Sequence, residues 1–131
     1  MKLLLDTHIW LWSLLAPGHL AERVRDHLED PAHELWISPI SAWEVLVLVE
    51  KGRVVLERDA VSWIRNVFRD LHFREAPLTH EVALRSRTID LPHRDPADRF
   101  LVATAAVYEL TLITADERLL GSGACSVLAN R

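Results

Sequence analysis

The sequence predicts an α/β fold built on a central, mostly parallel sheet. Three observations carry this expectation. Short apolar runs recur at residues 2–5 (KLLL), 34–38 (ELWIS) and 111–114 (TLIT), apolar on both faces as buried parallel strands should be. Segments with helical spacing lie between them, and strands alternating with helices imply a sheet covered on both sides. No repeat, linker or low-complexity tract interrupts the 131 residues, so one domain over residues 1–131 is expected.

The elements follow in order. Residues 2–5 form the first strand. In residues 19–30, Leu20, Val24 and Leu28 recur four apart, which predicts an amphipathic helix. The run at 34–38 lies between Pro31 and Pro39. Pro39 suits a first helical position and Gly52 a helix stop, so 39–52 reads as a helix. Residues 59–71 place Val61, Ile64, Phe68 and Leu71 on one helical face. Residues 72–78 suit a short strand and 79–91 another helix. The clearest helix is 95–110: Asp95 is a cap candidate, Pro96 takes the first position, and Leu101, Ala105 and Tyr108 share a face. TLIT is then a strand, 115–120 a helical turn, and 125–128 (CSVL) the last strand.

Composition excludes several classes. Half of the residues are hydrophobic and 26% are charged, which is globular rather than disordered. The single cysteine, Cys125, permits no internal disulfide and fits a reducing, cytoplasmic setting. The apolar run before Asp6 is too short for a signal peptide or a membrane span. A net charge of −4 argues against nucleic-acid binding by bulk electrostatics, while leaving room for an acidic site that meets phosphates through metal ions.

The acids stand at informative places. Asp6 follows the first strand directly, Glu44 lies on the helix after the second, Asp98 is in the first turn of the clearest helix, and Asp116 lies two residues past TLIT. Sites in open parallel sheets form at the carboxyl ends of strands, where strand order reverses. Asp6, Glu44 and Asp116 fall where one crevice could collect them, and Asp98 joins if its helix begins at the same edge. Clustered carboxylates repel one another and call for a cation. Oxygen ligands alone favour Mg²⁺ or Mn²⁺ over zinc. Simpler roles compete: Asp6 as the cap of a short helix THIWLW, Glu44 as a solvated side chain, Asp95 and Asp98 at capping-box spacing, Asp116 as a turn residue. All four together would need separate coincidences.

At these residues the chain resembles a known family. LLLDTHIWLW, SPISAWEV, DPADRFLVATA and LITADERL, in this order and at these ends of elements, look like the PIN-domain ribonucleases, and among them the VapC-type toxins of toxin–antitoxin pairs. The resemblance spans the whole chain. It implies a three-layer α/β/α architecture and a metal-dependent endoribonuclease, usually dimeric and inhibited by a cognate antitoxin. The family's acidic residues map to Asp6, Glu44, Asp98 and Asp116, with Asp95 one turn from Asp98 as a competitor. Thr114 matches the family's hydroxyl residue before the last acid. The expected chemistry is Mg²⁺- or Mn²⁺-dependent attack of water on an RNA phosphodiester, leaving a 5′-phosphate and a 3′-hydroxyl.

Further residues flank this set. Thr7 adjoins Asp6 and is a candidate to support it. Arg94, Arg99 and Arg118 are candidates for holding RNA phosphates, or are solvated. His8 and His93 stand near the acids and could touch substrate. Trp10 and Trp12 suit a core or a dimer surface. Two other function classes compete. Dehalogenase-type phosphatases place a second acid two residues after the first, where this chain has His8, and receiver domains want a lysine near the last strand, where none follows Lys51. A non-catalytic interaction module would need no cluster of like charges.

Overall fold

The computed structural model describes residues 1–92 and 94–131. His93, singled out above as a residue that could touch substrate, lies outside them. The chain runs β1 (Lys2–Leu5), α1 (Thr7–Leu15), α2 (Glu22–Glu29), β2 (Glu34–Ile37), α3 (Pro39–Glu50), α4 (Ala60–Asp70), β3 (Phe73–Glu75), α5 (His80–Thr88), α6 (Pro96–Tyr108), β4 (Thr111–Thr114), α7 (Glu117–Leu120) and β5 (Ser126–Ala129). The five strands lie in the order β3-β2-β1-β4-β5, and every neighbouring pair is parallel. The order runs outward from β1 to one side and then, from β4, to the other. The switch point is therefore the seam between β1 and β4, with Leu4 opposite Leu112 and Leu5 opposite Ile113.

Alternation along the strands builds the three layers. Leu3 and Leu5 face one side with Ile113, packing on Ile9, Trp10, Val24, Val45 and Ile64 from α1–α4. Leu4 and Leu112 face the other side, against Leu101, Val102 and Ala105 of α6 and Leu119 of α7. All three leucines of β1 are inaccessible to solvent, as the strand's continuous apolar run requires.

Two details depart from the sequence pattern. The helix expected over residues 19–30 is divided: a 3₁₀ turn at Pro17–His19 comes first, Leu20 is extended, and α2 begins at Glu22. The Ala21 N–H, which a continuous helix would use, donates instead to Asn130 Oδ1 at 2.7 Å, so the C-terminal tail claims the helix start. Leu20 still reaches the core, which is why its spacing mimicked a helix. Trp10 belongs to the core and not to a surface. It is fully buried and stacks on Phe68 at 5.5 Å between ring centres, with Trp63 and Phe73 close by. Trp12 is half-buried and stacks on His19.

Candidate active site

The site sits at the carboxyl edge of the sheet, over the β1–β4 seam. Asp6 ends β1, and its N–H donates to Ile113 O at 3.0 Å, which locks the strand end to β4. Its side chain makes no helix-capping hydrogen bond, although the residue stands at the cap position of α1. Asp6 Oδ2 instead accepts a 2.6 Å hydrogen bond from Thr114 Oγ1 at the end of β4. The same hydroxyl accepts the Asp116 N–H at 3.0 Å, so Thr114 ties the last acid's loop to the first acid. Thr114 is fully buried and can serve no solvent role.

Glu44 arrives on α3. Ser38 starts that helix by accepting the Ile40 N–H, with Pro39 in the first turn. Glu44 then stands two turns in, half-buried, on the face turned to α1. Thr7 Oγ1 donates to Glu44 Oε1 at 2.6 Å and lies 2.9 Å from Ser41 Oγ. Ser41 is a site residue that sequence reading passed over. Its signal was present, because it precedes Glu44 by three positions and so shares its helix face.

Asp98 is brought by α6. Asp95 caps this helix, accepting the Ala97 N–H at 3.0 Å and the Asp98 N–H at 3.5 Å. Asp95 is thus a true cap, yet its carboxylate also acts on Asp98. With Pro96 in the first turn, Asp98 falls at the helix N-terminus, near enough to Asp6 for that carboxylate to act on it. Its side chain is 12% exposed. Asp116 caps α7 through the Arg118 N–H at 2.9 Å and stands at the rim of the cluster.

The electrostatics follow from burial and like charge. Burial lifts Asp6 above the ordinary carboxylate value, opposed by the Thr114 hydrogen bond. Burial likewise lifts Glu44, opposed by the bond from Thr7 and reinforced by Asp6. Asp98 is pushed up to about 7, first by burial and then by the carboxylates of Asp6, Asp95, Asp116 and Glu44. The positive end of α6 favours an anion there, but by only about 0.3–1 kcal/mol, so desolvation and repulsion prevail. Burial and like charge thus meet at one point, where four neighbouring acids act on Asp98.

Arg99 corrects one expectation. It was a candidate for holding RNA phosphates, but it is only 8% exposed. Its guanidinium donates to Ser86 O at 2.8 Å, Leu91 O at 2.7 Å and Ile89 O at 3.0 Å. It fastens the segment between α5 and α6 to the start of α6. The helix amphipathicity masked this, because an arginine beside two acids reads as solvated. Arg94 is exposed, and Arg118 pairs with Asp116 and Asp98. A groove of about 890 Å³, lined by Val55, Trp63 and Leu71 among others, holds none of Asp6, Glu44, Asp98 and Asp116.

A parallel sheet with acids gathered at its switch point, under helices on both faces, defines the class of protein. Residues 3–121 match the PIN domain. The chain belongs to the PIN-domain family, in its VapC group. Ribonuclease VapC22 of Mycobacterium tuberculosis is 34% identical to it over 119 residues, 88% of either chain. Among solved structures, VapBC2 from Rickettsia felis, bound to a DNA fragment from its promoter, superposes with a TM-score of 0.73 over 98% of both chains, at 14% identity. A toxin–antitoxin complex from Klebsiella pneumoniae gives 0.68 over 98% of this chain and 97% of its own, at 21% identity. At such identities the structural likeness is one of fold.

Proposed function

We propose that this protein is a metal-dependent endoribonuclease, the toxin of a type II toxin–antitoxin pair, acting on RNA in the cytoplasm. The observation that carries the reading is the convergence of Asp6, Glu44, Asp98 and Asp116 on the β1–β4 seam, with Asp98 pushed up to about 7 by burial and then by the charges of its neighbours. Likeness to Ribonuclease VapC22 supports RNA as the substrate. The all-oxygen donor set fits a hard divalent ion, Mg²⁺ or Mn²⁺. Among the described residues no three side chains of histidine, cysteine, aspartate or glutamate stand close enough together, as placed, to hold a metal ion. The carboxylates are near enough to repel, which is the state a cation would relieve.

Asp6 and Asp98, the most buried acids, would hold the ion, with Glu44 and Asp116 completing its shell directly or through water. When bound, the ion would acidify a water and offset charge on the phosphate. The chain's own part is orientation. Thr114 fixes the Asp6 carboxylate, Thr7 fixes Glu44, and the Asp95 cap fixes the first turn of α6 that carries Asp98. Purified protein is expected to cleave single-stranded RNA with Mg²⁺ or Mn²⁺ and to stop in EDTA. Cleavage that persists in EDTA, with contaminating nuclease excluded, refutes the metal reading.

The partners proposed are a cognate antitoxin and a second copy of the chain. The solved complexes of its structural relatives support the antitoxin. Large apolar side chains remain exposed, among them Trp43, Val55 and Leu84, which supports association. No helix among the described residues is long and apolar enough to cross a membrane. Light scattering at micromolar concentration should give a dimer mass, and monomer alone would count against it. A co-purified antitoxin should suppress cleavage.

A further inference from the structure

The Arg118 guanidinium lies across the rim of the carboxylate cluster. Its Nη2 is 2.7 Å from Asp116 Oδ2 and 3.6 Å from Asp98 Oδ2, and its Nε is 3.1 Å from Asp116 Oδ1. One arginine thus spans two of the acids that would hold a divalent ion. Its backbone N–H is bound to Asp116 at 2.9 Å, so the base of the arm is fixed beside the site. The arm itself is 61% exposed, while the Asp98 side chain it touches is 12% exposed. Solvent lies on its outer side. Exposed pairs of this kind are individually weak, so the arm is held but not locked.

We propose that Arg118 is an exchangeable counter-ion of the site. It neutralises Asp98 and Asp116 while no divalent ion is bound, and it swings to a backbone phosphate of RNA once the ion has taken those oxygens. This rests on the metal-dependent ribonuclease reading above. The reasoning is competition for the same atoms. A guanidinium and a divalent cation repel, and both are drawn to the same carboxylate oxygens. The planar fork that suits a carboxylate also suits two phosphate oxygens. Arg99 cannot fill this role, because it is buried and each of its guanidinium nitrogens is held by a backbone carbonyl. Arg118 combines a fixed base, an exposed arm and direct contact with the acids.

The test is calorimetric titration of Mn²⁺ into the wild type, Arg118→Ala and Arg118→Lys, with melting in EDTA to verify folding. Arg118→Ala should bind Mn²⁺ about two- to fivefold more tightly, the scale of one exposed ion pair. Arg118→Lys should fall between, since a point charge cannot span both acids as a fork does. In Mn²⁺, KM of Arg118→Ala for a mixed-sequence single-stranded RNA should rise about tenfold, with kcat much less changed. The fall of log kcat/KM with log salt should become shallower by about 0.7, the signature of one lost phosphate contact on a single strand. Unchanged or weaker Mn²⁺ binding by Arg118→Ala overturns the exchange. Unchanged KM and salt slope overturn the phosphate contact. If the wild type binds Mn²⁺ and cleaves RNA while Arg118→Ala is indistinguishable from it, both the exchange and the phosphate contact fall and the ribonuclease reading stands. A wild type that takes up no Mn²⁺ brings down the ribonuclease reading, and the exchange with it.

Discussion

Replacing Asp6 with asparagine should abolish RNA cleavage and at the same time raise the melting temperature of the metal-free protein. The loss of cleavage, on the order of 10²–10³-fold or more, follows from removing the most deeply placed of the proposed ligands. The gain in stability follows from charge. Asp6 is 9% exposed and faces acids that raise one another's proton affinity. Asparagine keeps the shape, its oxygen can still accept from Thr114, and its amide can donate to a neighbouring carboxylate. Relief of repulsion should contribute on the order of 1 kcal/mol at neutral pH. Because the folded-state values are raised, the folded protein holds protons that the unfolded chain has already released. The metal-free wild type therefore loses stability as pH rises from about 4 to about 7, the window set by Asp98. The advantage of Asp6→Asn should grow over the same window and vanish near pH 4 and below. Mn²⁺ should raise the melting temperature of the wild type and do so much less in the mutant. Melting curves of both proteins across pH, in EDTA and in Mn²⁺, decide the matter. A mutant that melts lower in EDTA yet cleaves RNA normally would make Asp6 structural only.

Arg99→Met should destabilise the fold by about 2–4 kcal/mol. Methionine fills much of the same volume but leaves the carbonyls of Ser86, Ile89 and Leu91 without their donor in a buried setting. Each buried acceptor stripped of its partner costs about 1–3 kcal/mol, less where water can reach it. The segment before α6 should loosen with it, shifting Asp95 and Asp98. Chemical denaturation measures the first effect. Amide exchange at the start of α6 measures the second. If Arg99 instead held RNA, stability would be unchanged and only KM would rise.

Much of the site was legible because chain position and chemistry coincide there. A charge placed straight after a fully apolar strand, as Asp6 is after Leu3, Leu4 and Leu5, marks a strand end facing a crevice. Asp95 and Pro96 announce a helix start, which puts Asp98 in its first turn whatever the fold around it. Ser38 and Pro39 do the same for α3 and hence for Glu44. Arg99 and Arg118 were not separable by this route. Both flank acids, both are arginines on helices, and only packing distinguishes the one that is buried among carbonyls from the one that lies in solvent.

The sequence by itself determined most of the strand and helix succession, placing Asp6, Asp98 and Asp116 at the ends of elements and Glu44 within a helix. These are local consequences of apolar runs, helical spacing and caps, which each segment specifies without its neighbours. Tertiary structure alone decided what depends on distant partners. It set β4 against β1, so that Thr114 reaches Asp6 across 108 positions of chain. It drew Asn130 onto Ala21 and so divided the expected helix. It buried Trp10 among Phe68, Trp63 and Phe73, and it turned Arg99 inward. The physical reason is the same in each case. Burial and like-charge repulsion act through space, and no local pattern carries the distance between residues that meet only when the sheet closes.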